Sequence, residues 1–252
     1  AFGILNRKIK IHIKFNSGMN RFGFNENDIK ELKLRIDNYS YLKIESICSH
    51  LSSSKNKNND QITLNQFERF EKIIVSFKTL FSIKPLIHIL NTNGVLRFKK
   101  YQYNTVRIGI GLFGIHEDKK LTQIGTLSSS ISQIRILRKG DHVGYDTSFI
   151  CKKKMKIGII PFGYADGLDR QLGYNNGSLS VKGVLCNIIG DISMDSCAID
   201  ITGSDAKEGD RVEIFGSNNN INIMCKKTNS IPYEFLSKIN RRIKRIYTTS
   251  ST

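Results

Sequence analysis

Two hydrophobic rhythms share this chain, and the change between them near residue 120 limits the fold more than any other feature. Up to that point, strand-like apolar runs alternate with helical ones. Residues 9–15 read as a strand. Residues 27–39 read as a helix, with Ile29, Leu32 and Ile36 at helical spacing behind a cap at Asn25 or Asn27. Residues 44–51 give a second strand, 62–81 a long amphipathic helix, 85–90 a third strand and 106–113 a fourth. Strand–helix–strand alternation calls for parallel strands joined by crossover helices.

Beyond residue 120 the helical period disappears. Short strands are expected at 127–137, 156–161, 178–181, 184–189, 197–201 and 211–215. Lys139-Gly140-Asp141, Lys182-Gly183 and Glu208-Gly209-Asp210 mark turns between them. This is the pattern of an all-β barrel or sandwich. Residues 217–222 read as a polar loop, and 233–247 as a short helix followed by a strand. The expected division is a domain over 1–122 and a second over 123–252.

Charge offers a competing reading. Lys and Arg total 39 against 22 Asp and Glu, a net of +17. A nucleic-acid module would put such charge in patches interleaved with aromatics. The densest basic runs, Lys152 to Lys156 and Arg241 to Arg245, lack that interleaving, and Lys, Asn and Ile are abundant throughout. The charge is therefore read as compositional background, with no nucleic acid as partner. No apolar run approaches the ~20 residues of a membrane span. Five cysteines without paired spacing suit a reducing compartment, so a cytoplasmic protein away from membranes is expected. No metal site is expected.

Polar side chains gather where the first strands end: Lys14, Asn16 and Arg21 after the first, His50 after the second, Asn91 and Thr92 after the third, and Arg107 on the fourth. In a β/α barrel the reactive groups sit at the carboxyl ends of the strands. His50 alone would read as structural, but in series with Lys14, Asn91 and Arg107 it reads as part of a site.

The motifs that hold these residues resemble those of the alanine racemase family. His12-Ile-Lys-Phe-Asn-Ser-Gly-Met-Asn-Arg-Phe-Gly23 resembles its H-x-K-x-D-T-G-M-x-R-x-G. Ser49-His50, His88-Ile-Leu-Asn-Thr-Asn-Gly94 and Val106-Arg-Ile-Gly-Ile-Gly-Leu-Phe-Gly114 resemble the next three. Val143-Gly-Tyr145, Pro161-Phe-Gly-Tyr-Ala-Asp-Gly167 and Gly190-Asp-Ile-Ser-Met-Asp195 follow in family order. Each motif is short, but their order is kept over nearly the whole chain.

The resemblance implies an α/β barrel, of which the second half with about four strands is present, followed by an all-β C-terminal domain. It implies interconversion of L- and D-alanine by two-base proton transfer on a pyridoxal-phosphate aldimine, which supplies D-alanine for peptidoglycan. Thr92, Asn91 and the backbone at Gly109 and Ile110 would bind the cofactor, and Arg107 would face its ring nitrogen. A guanidinium holds its proton, which keeps that nitrogen unprotonated. Tyr145 would be one base. Its ordinary pKa near 10 requires a neighbour that favours the phenolate, and His50, between Tyr145 and Arg107, would be that neighbour.

Arg21 and the backbone at Met194 would take the substrate carboxylate. Lys14 matches a lysine that orients that arginine, carbamylated in some members, and Tyr164 and Asp195 would line the substrate's approach. Each site would be shared across a head-to-tail homodimer.

The chain also departs from the family pattern. Asn16 stands where Asp is usual, Thr92 where Ser is usual, and Arg241 where a phosphate-binding tyrosine often precedes an arginine. Nothing in the chain matches the motif of the lysine that bonds the cofactor's aldehyde, and residue 1 is Ala rather than Met. A fragment of a longer racemase, inactive by itself, is the expectation. A racemase of another amino acid such as serine, or a racemase domain within a bifunctional fusion, remains the alternative.

Overall fold

The computed structural model describes residues 8–116 and 121–248. They form two compact units that divide between Gly109 and Ile110.

The first unit is built in the order β1 (Ile9–Lys14), α1 (Ile29–Asp37), β2 (Leu42–Cys48), α2 (Asp60–Phe81) and β3 (Leu86–His88), followed by the short α3 (Thr92–Arg97). The three strands lie side by side in that order, all parallel. Helix α2 is fixed by its apolar spacing: Phe67, Phe70, Ile74, Phe77 and Phe81 recur every three or four residues, and all are buried. Phe77 stacks on Phe81 at 4.1 Å between ring centroids and meets Phe15 of the segment after β1 edge-on at 5.9 Å. The helix ends at Ser82, which takes the left-handed conformation (φ 51°) and returns its N–H to the Lys78 carbonyl.

Between β1 and β2 the register slips once. Ile11 faces Ile44, but His12 faces Ser46, so Glu45 is the extra residue of a bulge. From there Lys14 faces Cys48, and Cys48 in turn faces His88 of β3.

The expected fourth strand at 106–113 does not form, and the unit has three described strands rather than about four. The chain does run beside β3. Asn104 N–H donates to the Ile87 carbonyl (3.1 Å) and Arg107 N–H to the Leu90 carbonyl (2.9 Å). The ladder stops because Gly109 N–H donates to the Thr92 hydroxyl instead (3.1 Å), after which Ile110–Phe113 close a 3₁₀ turn.

The second unit is an antiparallel sheet made of β4 (Leu127–Ser130), β5 (Gln133–Leu137), β8 (Met155–Ile160), β9 (Ser178–Val181), β10 (Val184–Ile189), β11 (Cys197–Asp200) and β12 (Arg211–Phe215). Their order is β4-β12-β9-β10-β11-β8-β5, with β6 (His142–Val143) and β7 (Phe149–Ile150) forming a separate hairpin. The expected strand at 127–137 is one run that changes partner. Its first half pairs with β12 and its second with β8; between them Ile131 N–H donates to the Asp210 carbonyl and Ser132 N–H to the Ile159 carbonyl. The sheet thereby closes on itself and leaves no long free edge. Leu179, Val181, Ile188, Ile199, Val212 and Ile214 fill its interior.

Two expectations fail at the end of the chain. The polar run 217–222 is a loop only up to the cap Asn220, where α4 (Ile221–Lys227) begins; Asn220 accepts the Asn222 N–H, which converts a loop-like sequence into a helix start. Residues 233–247 give α5 (Pro232–Lys238) but no strand after it. The carbonyls of Ile239, Asn240 and Ile243 accept from the Arg245 guanidinium, so this backbone is bonded to a side chain rather than to a sheet.

Phe77→Ala removes a fully buried ring at the centre of the first unit. It is expected to cost about 3–5 kcal/mol in urea unfolding followed by circular dichroism.

Candidate active site

Strand ends and loops of the first unit assemble a polar cluster around Arg107. Its Nη2 donates to the Ser49 carbonyl (2.5 Å) and to His50 Nδ1 (3.2 Å), and its Nη1 donates to His88 Nδ1. A guanidinium carries donors only, so both ring nitrogens must be acceptors. His50 and His88 are therefore neutral, each with its proton on Nε2. Burial, then the Arg107 charge, pushes His88 down to about 4, with His12 adding to it. Burial likewise lowers His50, reinforced by the positive charges of Arg107, Lys14 and Arg21. Burial also lowers Arg107, but an arginine remains charged. Cys48, between Lys14 and His88 in the sheet, is raised by burial despite the nearby charges of Arg107 and Lys14.

The main chain at His50 is held from helix α2. The buried Gln66 donates through Nε2 to the His50 carbonyl (3.0 Å), and its Oε1 accepts from Ser52 N–H (2.8 Å) and the Ser52 hydroxyl (3.0 Å). Ser49 is tied to β1's end, donating to the Phe15 carbonyl (2.8 Å) and sharing a bond with the Ser17 hydroxyl (2.7 Å). The loop with Arg21 folds back onto β1 at Gly23 (φ 125°), where an added Cβ would sit 2.8–2.9 Å from backbone atoms of Lys14, Phe15 and Asn16. The Lys14 ammonium lies over the Phe22 ring, 5.8 Å from its centroid.

Asn91 and Thr92 do different jobs. Asn91 caps α3: its Oδ1 accepts from Gly94 N–H (2.9 Å) and the Ser54 hydroxyl (2.8 Å). Thr92 is buried, and its hydroxyl receives the Gly109 N–H.

In the second unit, Tyr145 is 72% exposed at the start of a tight turn. Gly144 (φ 84°), Asp146 (φ 47°) and Thr147 (φ 54°) all take positive φ around it. Left-handed conformations at non-glycine residues cost roughly 1–3 kcal/mol each and persist only where the surroundings enforce them. Here Ser148 does so. Its hydroxyl donates to the Val143 carbonyl (3.0 Å) and accepts from Asp191 N–H (3.2 Å).

Tyr164 and Met194 sit on two turns that are bonded together. Tyr164 N–H donates to the Ser193 carbonyl (3.1 Å) and Ala165 N–H to the Met194 carbonyl (2.9 Å). Gly163 allows that approach, since a Cβ there would lie 2.3 Å from the Ser193 oxygen. Arg242 joins both turns, with Nε to the buried Asp166 (2.7 Å) and Nη2 to Asp195 (2.5 Å). Its neighbour Arg241 is exposed.

Residues 3–117 match the model of the alanine racemase N-terminal domain, and 124–247 that of the alanine racemase C-terminal domain. Alanine racemase 1 of Caldanaerobacter subterraneus subsp. tengcongensis is 35% identical over 96% of this chain and 65% of its own length. The alanine racemase of Helicobacter acinonychis is 32% identical over 96% of this chain and 68% of its own. The chain belongs to the alanine racemase family. It spans about two thirds of the length of the curated relatives it matches. Among solved structures, alanine racemase of Clostridium difficile 630 superposes with a TM-score of 0.89 at 25% identity, covering 98% of this chain and 66% of that one. The Bartonella henselae alanine racemase with covalently bound pyridoxal phosphate gives 0.82 at 27%, covering 98% and 68%.

Set against the family motif, Asn16 replaces the usual Asp without losing the loop. Its Oδ1 accepts from Gly18 N–H (3.1 Å) and Asn20 N–H (2.9 Å), as a carboxylate oxygen would. Its amide then needs acceptors, and Asn20 Oδ1 (3.0 Å) and Asn25 Oδ1 (3.3 Å) supply them.

The structure brings Lys14, Arg21, His50, Thr92 and Arg107 together at one end of the first unit, and Tyr164, Met194 and Asp195 at one place in the second. No sequence pattern marks Ser46, Gln66 or Arg242, and His12 and His88 enter the sequence only as letters of a motif. For His88 a signal existed, three residues ahead of Asn91 on the same strand end. Gln66 lies 16 residues from the carbonyl it holds, and no local pattern marks it.

His88 is neutral in the folded chain down to about pH 4, whereas an unfolded histidine protonates near 6.5. Its contribution to stability is full above about pH 6.5 and is lost as pH falls toward 4. Urea midpoints across that interval should therefore fall less steeply for His88→Gln than for the parent chain.

Proposed function

We propose that this chain supplies the pyridoxal-phosphate pocket and one proton-transfer base of an alanine racemase, a cytoplasmic enzyme that makes D-alanine for the cell wall. The observation that carries this reading is the Arg107–His50 bond, with the arginine as donor, inside a family whose N- and C-terminal domain models together match 3–117 and 124–247.

The donor set suits the cofactor. The Arg107 cation suits an unprotonated ring nitrogen. The buried Thr92 hydroxyl, with the backbone at Gly109 and Ile110, suits a phosphate, and Asn91 holds the start of α3 where Thr92 sits. The family motif would make Arg241 a further cation for the phosphate. Bound pyridoxal phosphate would acidify the α-proton of an amino acid joined to its aldehyde.

The chain's own residues would handle that proton and hold the substrate. His50, neutral with its proton on Nε2, would stabilise the phenolate of Tyr145 of the partner subunit. Such stabilisation lets a phenol serve as base near neutral pH. The high exposure of Tyr145 suits a side chain that reaches a neighbour in a head-to-tail homodimer. Arg21, with Lys14 orienting it, and the Met194 backbone would take the substrate carboxylate, while Tyr164 and Asp195 would line the approach. The domains that divide this work run 1–122 and 123–252. Five free cysteines, four of them buried, suit a reducing cytoplasm. Among the described residues, no helix is long and apolar enough to cross a membrane.

The test is D-alanine formation from L-alanine by the protein that carries this sequence, with pyridoxal phosphate added. Tyr145→Phe should lower kcat by about 10²–10⁴-fold while the cofactor's absorbance is kept. Full activity in that variant, or serine turned over in preference to alanine, would overturn the assignment.

A further inference from the structure

Arg107 is the end of a longer line of hydrogen bonds that crosses the three described strands of the first unit. Beyond His88, Nε2 of that ring meets the Ser46 hydroxyl at 3.1 Å, and the hydroxyl meets His12 Nδ1 at 2.5 Å. The line therefore runs Arg107, His88 on β3, Ser46 on β2, His12 on β1. Ser46 is 1% exposed, and among the described residues these two imidazoles are its side-chain partners.

The direction of the protons follows from one end. Arg107 can only donate, so His88 Nδ1 accepts, and the proton of the neutral ring sits on Nε2. That N–H donates to Ser46 Oγ. The Ser46 hydroxyl proton is then left with one acceptor, His12 Nδ1. The reverse arrangement at His12, with its Nδ1–H donating to Ser46, would leave a buried hydroxyl proton without a partner, which is costly. The neutral His12 ring consequently carries its proton on Nε2.

The bulge at Glu45 makes this line possible. In the register that holds at Ile11, His12 would face Glu45; the slip puts Ser46 there. Glu45 is left to pair with Lys10 (3.4 Å) and Lys43 (3.8 Å).

We propose that Ser46 is a positioning residue that relays the donor direction set by Arg107 across the sheet, fixing His12 as an Nε2–H donor. His12 is exposed on β1, so a group that docks against its ring must bring a hydrogen-bond acceptor, such as a carboxylate or carbonyl oxygen. This inference rests on the hydrogen bonds alone and stands or falls independently of the racemase reading.

The experiment is a long-range ¹H–¹⁵N correlation of the histidine rings in the uniformly ¹⁵N-labelled chain at pH 7, assigned by single His→Gln replacements. The parent chain should show His88 and the neutral form of His12 with the proton on Nε2. In Ser46→Ala, His12 should pass to a mixture of tautomers, while His88, still held by Arg107, keeps its Nε2–H form. Ser46→Thr, which retains the hydroxyl, should restore the single tautomer at His12. An Nδ1–H signal from His88 or neutral His12 in the parent chain overturns the proposal, and that reading needs no variant to fold. An unchanged His12 in a folded Ser46→Ala chain overturns it as well.

Discussion

A guanidinium has hydrogen-bond donors and no acceptor, and most of the first unit's polar interior is arranged around that fact. Arg107 meets carbonyls of Ser49 and Ile89 and one nitrogen each of His50 and His88. Every one of these is forced to accept. Two imidazoles in a row of parallel strands could each hold a proton on either nitrogen; beside Arg107 each has one choice. The same charge, added to burial, keeps both rings neutral, so the histidines add no positive charge to that of the arginine. Parallel strands suit such an arrangement because their ends present backbone carbonyls and side chains from three strands at one level.

The second unit reaches a comparable result with closure instead of charge. One run of chain serves two sheet partners and seals the barrel at Ile131 and Ser132. Loops carried by a closed sheet can tolerate strained conformations, and the turn at Tyr145 has three positive φ values in four residues. The turns at Tyr164 and Met194 are held to each other by backbone bonds and to the chain's last described segment by Arg242. Its ion pair with Asp166 is well placed to matter because that carboxylate is buried and also accepts the Gly163 N–H (3.0 Å).

Much of the fold could be read from apolar spacing. The helix at 60–81 shows its phenylalanines at three- and four-residue intervals, and the strands at 178–181, 184–189 and 211–215 stand between glycine turns. The structure departs from that spacing where a side chain captures backbone that the pattern assigns to a sheet. Thr92 takes the Gly109 N–H, and Arg245 takes three carbonyls of the tail. The site was legible through its motifs, because Lys14, His50, Thr92, Arg107 and Tyr164 lie in short recognisable strings. Ser46, Gln66 and Arg242 were not, because each acts on a partner far along the chain.

By itself the sequence determined the parallel α/β half, the β domain after it and the family. Local spacing and short motifs are enough for these, since each depends on neighbours within a few turns of chain. Only the tertiary structure decided which nitrogen of each histidine carries a proton and which serine stands between His12 and His88. Those depend on a one-residue slip at Glu45 and on the approach of a donor-only group from a segment nearly 60 residues beyond His50. Register and proton direction are properties of atoms meeting across strands, and no local stretch of sequence contains them.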